Sequence, residues 1–435
     1  MPALSPNTPF GAFGPADRRA LRQPELLHPC ALESWPIGER IMAMQTTAVR
    51  VLQVGCGGYG AFILRGLLDL QAEGLVQVVA GVDPAPRGAG AEVLAEAGLK
   101  AEADLDQALA RHRPELVVIA SPIHLHATHA ISAMAQGAHV LCEKPAAGNL
   151  EDAQAMAAAA RQYDRWCAIG FQWSYSPAVL QLKADIAAGR LGRPEELASC
   201  VLWARAHSYY QRNQWAGRAW LDGRWLGDSI LSNATAHHLH HHLFLLGADG
   251  AAAAPDRMQA ALGRVNAIDT CDSAVVDVMV GDTHIRHCAS HAVAVEWAPL
   301  MRGRFSEGLL DYRPEAGGFI FQPRQGSARV YGDPEAHPHH KLRHCVLALR
   351  EGTPIPCDVN CASVHLGLVE ALQRPHDQGP SPAGEAPAEL VGEVPMRGGS
   401  GLAVKGLEHG LLRCWANGAE APAWFQKIGQ SHYQG

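Results

Sequence analysis

Apolar and polar positions first fall into a repeating order at Val49. Val49–Val54 is a short apolar run that ends in Gly55-Cys56-Gly57-Gly58-Tyr59-Gly60. Ala61 to Leu70 then places Phe62, Leu67, Leu68 and Leu70 at helix-like spacing, and Val76–Val82 forms a second buried strand ending at Asp83. The alternation predicts helices over 104–112 and 124–136, with strands over 116–120 and 139–142. Right-handed crossovers turn such a series into a doubly wound parallel sheet whose strand C-termini open on one edge. Ser121-Pro122 and Glu143-Lys144-Pro145 follow strands and project onto that edge.

The second half has a different rhythm. Period-two stretches over 273–280, 284–291 and 318–331 predict strands, and 339–351 and 361–373 predict helices. Leu231, Leu239, Leu243 and Leu246 draw an apolar stripe along a helix that also carries His237-His238-Leu239-His240-His241-His242. Residues 374–400 read as linker-like, with Pro and Gly and no period over 374–388, a helical pattern resumes over 404–415, and 425–435 reads as a tail. Residues 1–48 are rich in Pro and Gly without periodicity and read as a disordered extension.

Composition narrows the functional classes. The 435 residues are 48% hydrophobic and 18% charged, which excludes wholesale disorder and leaves room for two or three domains. Thirty-six Lys and Arg against 43 Asp and Glu give a net charge of -7, which argues against a nucleic-acid partner. No window reaches the roughly 18 apolar residues of a membrane span. Eleven cysteines are scattered singly, which fits a reducing cytoplasm. The closest pair, Cys357 and Cys361, lies beside no second Cys/His pair at zinc-ligand spacing. The histidine run offers i,i+4 pairs but no H-E-x-x-H pattern, so no metal is expected.

The hexapeptide fits G-x-G-x-x-G in the strand, turn, helix, strand context that a dinucleotide requires. Gly55 permits the tight turn, Gly57 lets the backbone approach a pyrophosphate, and Gly60 permits close helix–strand packing; Cys56, Gly58 and Tyr59 complete the loop. Asp83 is placed to take the ribose hydroxyls, which favours NAD(H), because a carboxylate repels a 2′-phosphate. Arg87, four residues on, could pair with that phosphate and admit NADP(H).

Taken in order, Val51 to Gly60, Val117-Val118-Ile119-Ala120-Ser121-Pro122 with His126, and His139-Val140-Leu141-Cys142-Glu143-Lys144-Pro145 resemble the glucose-fructose oxidoreductase / inositol dehydrogenase (Gfo/Idh/MocA) family. The likeness continues through Gly170-Phe171-Gln172, Pro177, the Gly189 to Pro194 turn and Gly227 to Gly247. It implies an α/β protein with an N-terminal Rossmann domain, 49–168, and a C-terminal α/β domain, 169–424, built on a large, mostly antiparallel open sheet. It also implies oxidation or reduction of a hydroxyl carbon of a sugar, cyclitol or related polyol with NAD(H) or NADP(H), and a homodimer or homotetramer built on the sheet's outward face. Ser121, Pro122, His126, Glu143 and Lys144 join the cofactor-binding candidates by the same likeness.

Within the resemblance, Lys144 matches the family's Glu-Lys-Pro lysine, and His237 its Asp-x-x-x-His histidine. Asn233 stands where the family has the aspartate, and His240 where it often has another. Hydride transfer needs a base for the hydroxyl proton and a donor for the developing alkoxide. His237 is expected as general acid/base, Lys144 as the donor, and Asn233 as the residue that orients substrate or His237. Trp203 to Trp225 concentrates four tryptophans and four arginines, a mixture suited to polyols or to fastening a long loop. Gln172, Trp173 and Tyr209 are further candidate substrate contacts.

Two other functions fit the same residues. One is an NAD-dependent glycosidase that oxidises transiently and regenerates its cofactor. The other is a non-catalytic nucleotide-binding sensor or assembly protein, in which Asn233 and His240 mark lost chemistry.

Overall fold

In the computed structural model residues 48–337 and 339–430 are described. The extension expected over 1–48 lies outside these residues save its last position. Six strands, β1 (Val49–Val54), β2 (Val76–Val82), β3 (Ala101–Glu102), β4 (Leu116–Ile119), β5 (His139–Cys142) and β6 (Cys167–Ile169), pair in parallel in the order β3-β2-β1-β4-β5-β6. β1 and β4 are almost wholly buried, as a parallel sheet covered on both faces requires. The crossovers are α1 (Tyr59–Ala72), α2 (Ala89–Glu96), α3 (Leu105–His112), α4 (His126–Ala135) and α5 (Leu150–Gln162). Asp104 and Asn149 cap α3 and α5 by accepting from the Gln107 and Asp152 N–H groups, which fixes where those helices start. The strand order reverses between β1 and β4, so a crevice opens past the ends of those two strands.

The chain continues through α6 (Pro177–Ala187), β7 (Pro194–Leu202), α7 (His207–Gln211), the small hairpin β8 (Trp220–Leu221) and β9 (Arg224–Trp225), and α8 (Ala236–Leu246). β10 (Arg257–Arg264), β11 (Ser273–Val280), β12 (Thr283–Ser290), β13 (Leu300–Phe305), β14 (Gly308–Arg313), β15 (Gly318–Pro323) and β16 (Arg329–Gly332) follow. Then come α9 (His340–Glu351), α10 (Val359–Gln373), β17 (Gly384–Glu385), the hairpin β18 (Val391–Met396) and β19 (Gly399–Val404), α11 (Leu407–Asn417) and β20 (Gln426–Gln430). The second sheet runs β16-β15-β14-β13-β7-β12-β11-β10-β17, with β20 also on β10. It is antiparallel except at β7–β12 and β10–β17.

Three expectations change. The stretch 318–331 is a hairpin of two strands, because Arg324 to Ala328 turns the chain. Residues 374–400 are no linker: Gly384–Glu385 pairs with β10, and β18 and β19 pair with each other. Glycine and proline within Val391–Met396 and Gly399–Val404 break the period-two alternation that announces a strand. The tail likewise contains β20, in register with Met258 to Leu262 of β10.

The two faces of the large sheet are covered differently. Leu197, Val276, Ile285 and Ala289 face inward and join one core with Leu239, Leu243 and Phe244 of α8. Cys200, Leu202, Val275 and Cys288, one residue out of phase, face outward onto Leu407, Leu411 and Cys414 of α11. Arg286 and Arg302 of the sheet donate to the Cys414 and Trp415 carbonyls near the C-terminal end of that helix, at 3.1 and 2.8 Å. Among the described residues no helix is long and apolar enough to cross a membrane.

Candidate cofactor and catalytic site

The glycine loop is shaped by close approach. Gly55 has φ +79, and a Cβ there would stand 2.6 Å from the Ala120 oxygen; a Cβ on Gly60 would stand 2.2 Å from the Gly55 oxygen. Gly57 meets nothing within 4 Å, so its backbone can be approached from outside. Gln53, buried in β1, donates to the carbonyls of Gly55 and Gly60 at 3.0 and 2.6 Å and holds the loop closed. Sequence reading missed it, since one polar residue in an apolar run carries no period. α1 starts at Tyr59 with no side-chain cap on Gly58 and no acid in its first turn, which leaves the positive end of its dipole unanswered.

Asp83 accepts from the Cys56 N–H at 2.9 Å and from the Ala85 N–H at 3.0 Å, so its carboxylate is pinned beside the loop. Arg87 is exposed nearby. The Cys56 side chain is buried, and burial followed by the Asp83 charge pushes its thiol up to about 12, so only its backbone can serve a ligand. These groups fit a dinucleotide: an open Gly57, an uncapped helix start and a fixed carboxylate, where the pyrophosphate and ribose would be held.

Across the crevice, Ser121 and Pro122 follow β4. His126 is 1% exposed, and its two ring nitrogens lie 2.9 Å from the Ser121 and Pro145 carbonyl oxygens. It therefore ties two strand-end loops together from behind, and its placement as a ligand contact is corrected.

Glu143 is also spoken for. Lys341 of α9, 0% exposed, forms an ion pair with Glu143 and donates to the Tyr59 hydroxyl oxygen at 3.2 Å. Burial opposes the Lys341 charge, but the Glu143 carboxylate outweighs it and holds this amine above its ordinary value. Gly170 leaves room for the arrangement, since a Cβ there would stand 2.8 Å from the Glu143 carboxylate. Lys341 was invisible in the sequence because it lies 198 residues from its partner.

Lys144 points to the other wall. Its Nζ donates to the Asn233 main-chain oxygen at 2.7 Å and to Asn233 Oδ1 at 2.9 Å. Asn233 Nδ2 in turn donates to Asp228 Oδ1 at 2.9 Å, and Asp228 Oδ2 accepts from the Gly217 N–H at 2.7 Å and lies 3.8 Å from Arg212. Asn233 thus holds Lys144, and its side-chain amide bonds Lys144 and Asp228. Burial lowers Lys144 to about 8, with the Glu143 and Asp228 charges resisting.

His237 opens α8, four residues after Asn233, with its ring edge-on to Phe171 at 5.6 Å. Its Nδ1 is buried without a partner. Burial first, then the Lys144 charge, pushes the imidazole well below its ordinary range, so it stands neutral, the form a base must have before substrate arrives. Upstream, the reciprocal bonds of Ser229 and Ser232 and the Thr235 hydroxyl bonded to the Ile230 carbonyl fix the turn Ile230–Ala234 that sets its position.

The substrate candidates divide. Gln172 lies between Tyr59 and Glu335, accepting from the first at 3.4 Å and donating to the second at 3.0 Å, at the rim of the glycine loop. Trp173 is 3% exposed, donates to Glu335, and packs edge-on to His238 and His241, so it is core and its assignment as a substrate contact is corrected. Tyr209 is half-buried with Arg212 stacked on its ring at 3.8 Å, which joins it to the Asp228 wall. The rest of the histidine run is interior: His238, His240, His241 and His242 are 1–3% exposed, and His242 reaches Ser199 Oγ at 3.0 Å.

Residues 49–171 match the oxidoreductase family with an NAD-binding Rossmann fold. The chain is 30% identical over 176 residues to the rhizopine catabolism protein MocA of Rhizobium meliloti, covering 40% of this chain and 54% of that one. It is 35% identical over 148 residues to inositol 2-dehydrogenase of Streptomyces avermitilis, covering 33% and 42%. The matched part thus spans about half the length of these relatives. Among solved structures, the WlbA dehydrogenase of Bordetella pertussis in complex with NADH and UDP-GlcNAcA aligns over 74% of this chain and 94% of its own, with a TM-score of 0.60 and 20% identity. An Agrobacterium radiobacter oxidoreductase in complex with NAD+, L-tartaric acid and magnesium aligns over 75% and 95%, with a TM-score of 0.61 and 19% identity. Those structures establish the same two-sheet fold. Residues 49–171 thus match the NAD-binding Rossmann domain of the Gfo/Idh/MocA oxidoreductases, and the solved structures show that the chain as a whole shares their fold.

Proposed function

We propose that this protein is an NAD(P)-dependent oxidoreductase acting at a hydroxyl carbon of a sugar, cyclitol or related polyol, with NAD(H) preferred through Asp83. The carrying observation is the meeting of Lys144, from the end of β5, with the Asn233 to His237 stretch that opens α8. The glycine loop and Asp83 would hold the dinucleotide, which when bound supplies or accepts the hydride. Neutral His237 takes the hydroxyl proton of the substrate. The Lys144 ammonium, kept in place by Asn233, donates to the oxygen that gains negative charge. Tyr209 and Arg212 offer an aromatic face and directional donors to a polyol, with Gln172 at the other rim. A homo-oligomeric state belongs to the same reading.

A panel of free sugars, cyclitols and sugar acids, assayed for net NADH formation, tests this. Turnover that falls in Lys144→Ala and His237→Ala while NADH binding persists supports it. Tight NADH binding with no net redox on any member overturns it; hydrolysis of a glycoside without net NADH would point to the glycosidase chemistry instead.

A further inference from the structure

The histidine run and the closest cysteine pair, which the sequence keeps apart, meet inside the fold. Cys357 immediately precedes Asp358, the N-cap of α10, and Cys361 lies in its first turn with its N–H held by Asp358 Oδ1 at 2.9 Å. His240 comes from α8, one turn beyond His237. Its Nε2 lies 3.6 Å from Cys357 Sγ and 3.2 Å from Ser174 Oγ. The ligand atoms of His240, Cys357 and Cys361 all lie within 4.8 Å of one another. Their exposures are 1%, 0% and 2%, and Ser174 is 1% exposed.

Four observations fit a bound ion better than a plain polar cluster. Tetrahedral zinc, with bonds of about 2.3 Å to sulfur and about 2.0 Å to nitrogen, sets its ligand atoms roughly 3.5–3.8 Å apart, which the His240 to Cys357 distance already meets. His240 Nε2 has one strong partner, the Ser174 hydroxyl at 3.2 Å, whereas the two thiols beside it are weak hydrogen-bond partners whose sulfurs a metal ion would engage better. Two thiolates balance a dipositive ion, which leaves no net charge in an interior walled by Phe171, stacked on His240 at 3.8 Å, and Phe244. The backbone is already rigid, with the Cys357 carbonyl accepting from the Ile169 N–H at 2.9 Å and the Tyr175 hydroxyl at 2.8 Å. Soft sulfur and nitrogen donors select zinc over magnesium or calcium.

We propose that His240, Cys357 and Cys361 bind a structural zinc ion, with the Ser174 hydroxyl at the fourth position. The ion would clamp α8, α10 and the Gln172–Tyr175 turn together and thereby fix His237 one turn upstream. It departs from the sequence expectation because the third protein ligand arrives from a helix 117 residues away.

The test uses the full chain, expressed with zinc and kept reduced. After dialysis against EDTA it should retain about one zinc per chain, and stripping with a stronger chelator under mild denaturant should lower its Tm. Reloading with Co2+ should give thiolate-to-cobalt charge-transfer bands and the visible bands of a tetrahedral ion. Cys361→Ala and, separately, His240→Phe, both apolar fits to this interior, should lose the metal and those bands. Folded wild type that takes up less than about a tenth of an equivalent of Zn2+ or Co2+ overturns the proposal. So does full metal content in either variant.

Discussion

Both oxygens of Asn233 are turned on the Lys144 ammonium, the main-chain one at 2.7 Å and the side-chain one at 2.9 Å. Replacing Asn233 by Asp therefore acts first on Lys144. A carboxylate at that contact favours the charged amine, so the Lys144 value rises from about 8 and the alkaline limb of the rate profile moves upward. An unmoved alkaline limb in a pH series of kcat would show that Lys144 does not set it.

Removing the base should cost more turnover than binding. His237→Ala and Lys144→Ala are each expected to lower kcat about 10²–10⁴-fold while the NADH dissociation constant stays within a factor of about three. Steady-state kinetics with a parallel NADH titration checks this.

Asp83→Ser should weaken NAD and relatively improve NADP, because the carboxylate fixed by the Cys56 and Ala85 N–H groups is lost. Wild type that already prefers NADP tenfold, about 1.4 kcal/mol, would make the exposed Arg87 the determinant.

Breaking the buried Lys341 and Glu143 pair from one side strands a charge. Lys341→Met should destabilise by about 3–5 kcal/mol, and adding Glu143→Gln should restore part of it. Urea melts of the two variants measure the difference. The restored fraction separates the pair's contribution from mere packing.

Acid should unfold the protein early. Burial depresses His238 to about 4 and His365 to about 3, and pushes His241, His242 and His287 well below the ordinary value of 6.5. The unfolded chain then binds protons that the folded one refuses, so stability is complete above pH 6.5 and falls as pH drops toward 4. A fully titrating residue costs about 1.4 kcal/mol per pH unit, so Tm should drop steeply between pH 6.5 and 5. A flat Tm over that range would mean the interior opens to hydrate these rings.

Four strands of the doubly wound sheet were legible because each is a short apolar run between a turn and a helix, and the glycine loop announces its own backbone needs; Ala101–Glu102 and Cys167–Ile169 are too short to show a pattern. Lys144, His237, Asp83 and the loop could be picked out since each sits beside such a landmark. What stayed hidden depends on contacts that no spacing announces. Lys341 has no motif around it and meets Glu143 across 198 residues, while Gln53 and Asp228 lie beside the landmarks but take their roles from bonds that only the folded loops supply. Trp173 and His126 looked like ligand contacts by position along the chain, but burial turns them inward. The strands after residue 374 escaped notice because a half-exposed edge mixes glycine, proline and charge.

The placement of α11 has a consequence for self-association. The outward apolar residues Cys200, Leu202, Val275 and Cys288 are sealed by Leu407, Leu411 and Cys414 of the same polypeptide, so the middle of that sheet is closed to a neighbouring molecule. A second copy using this face of the sheet would meet the β14 to β16 end, where Leu309 and Val330 are 53% and 58% exposed, or displace the helix. Stopping the chain before Leu407 should convert a sealed surface into a sticky one, visible in light scattering as concentration-dependent assembly.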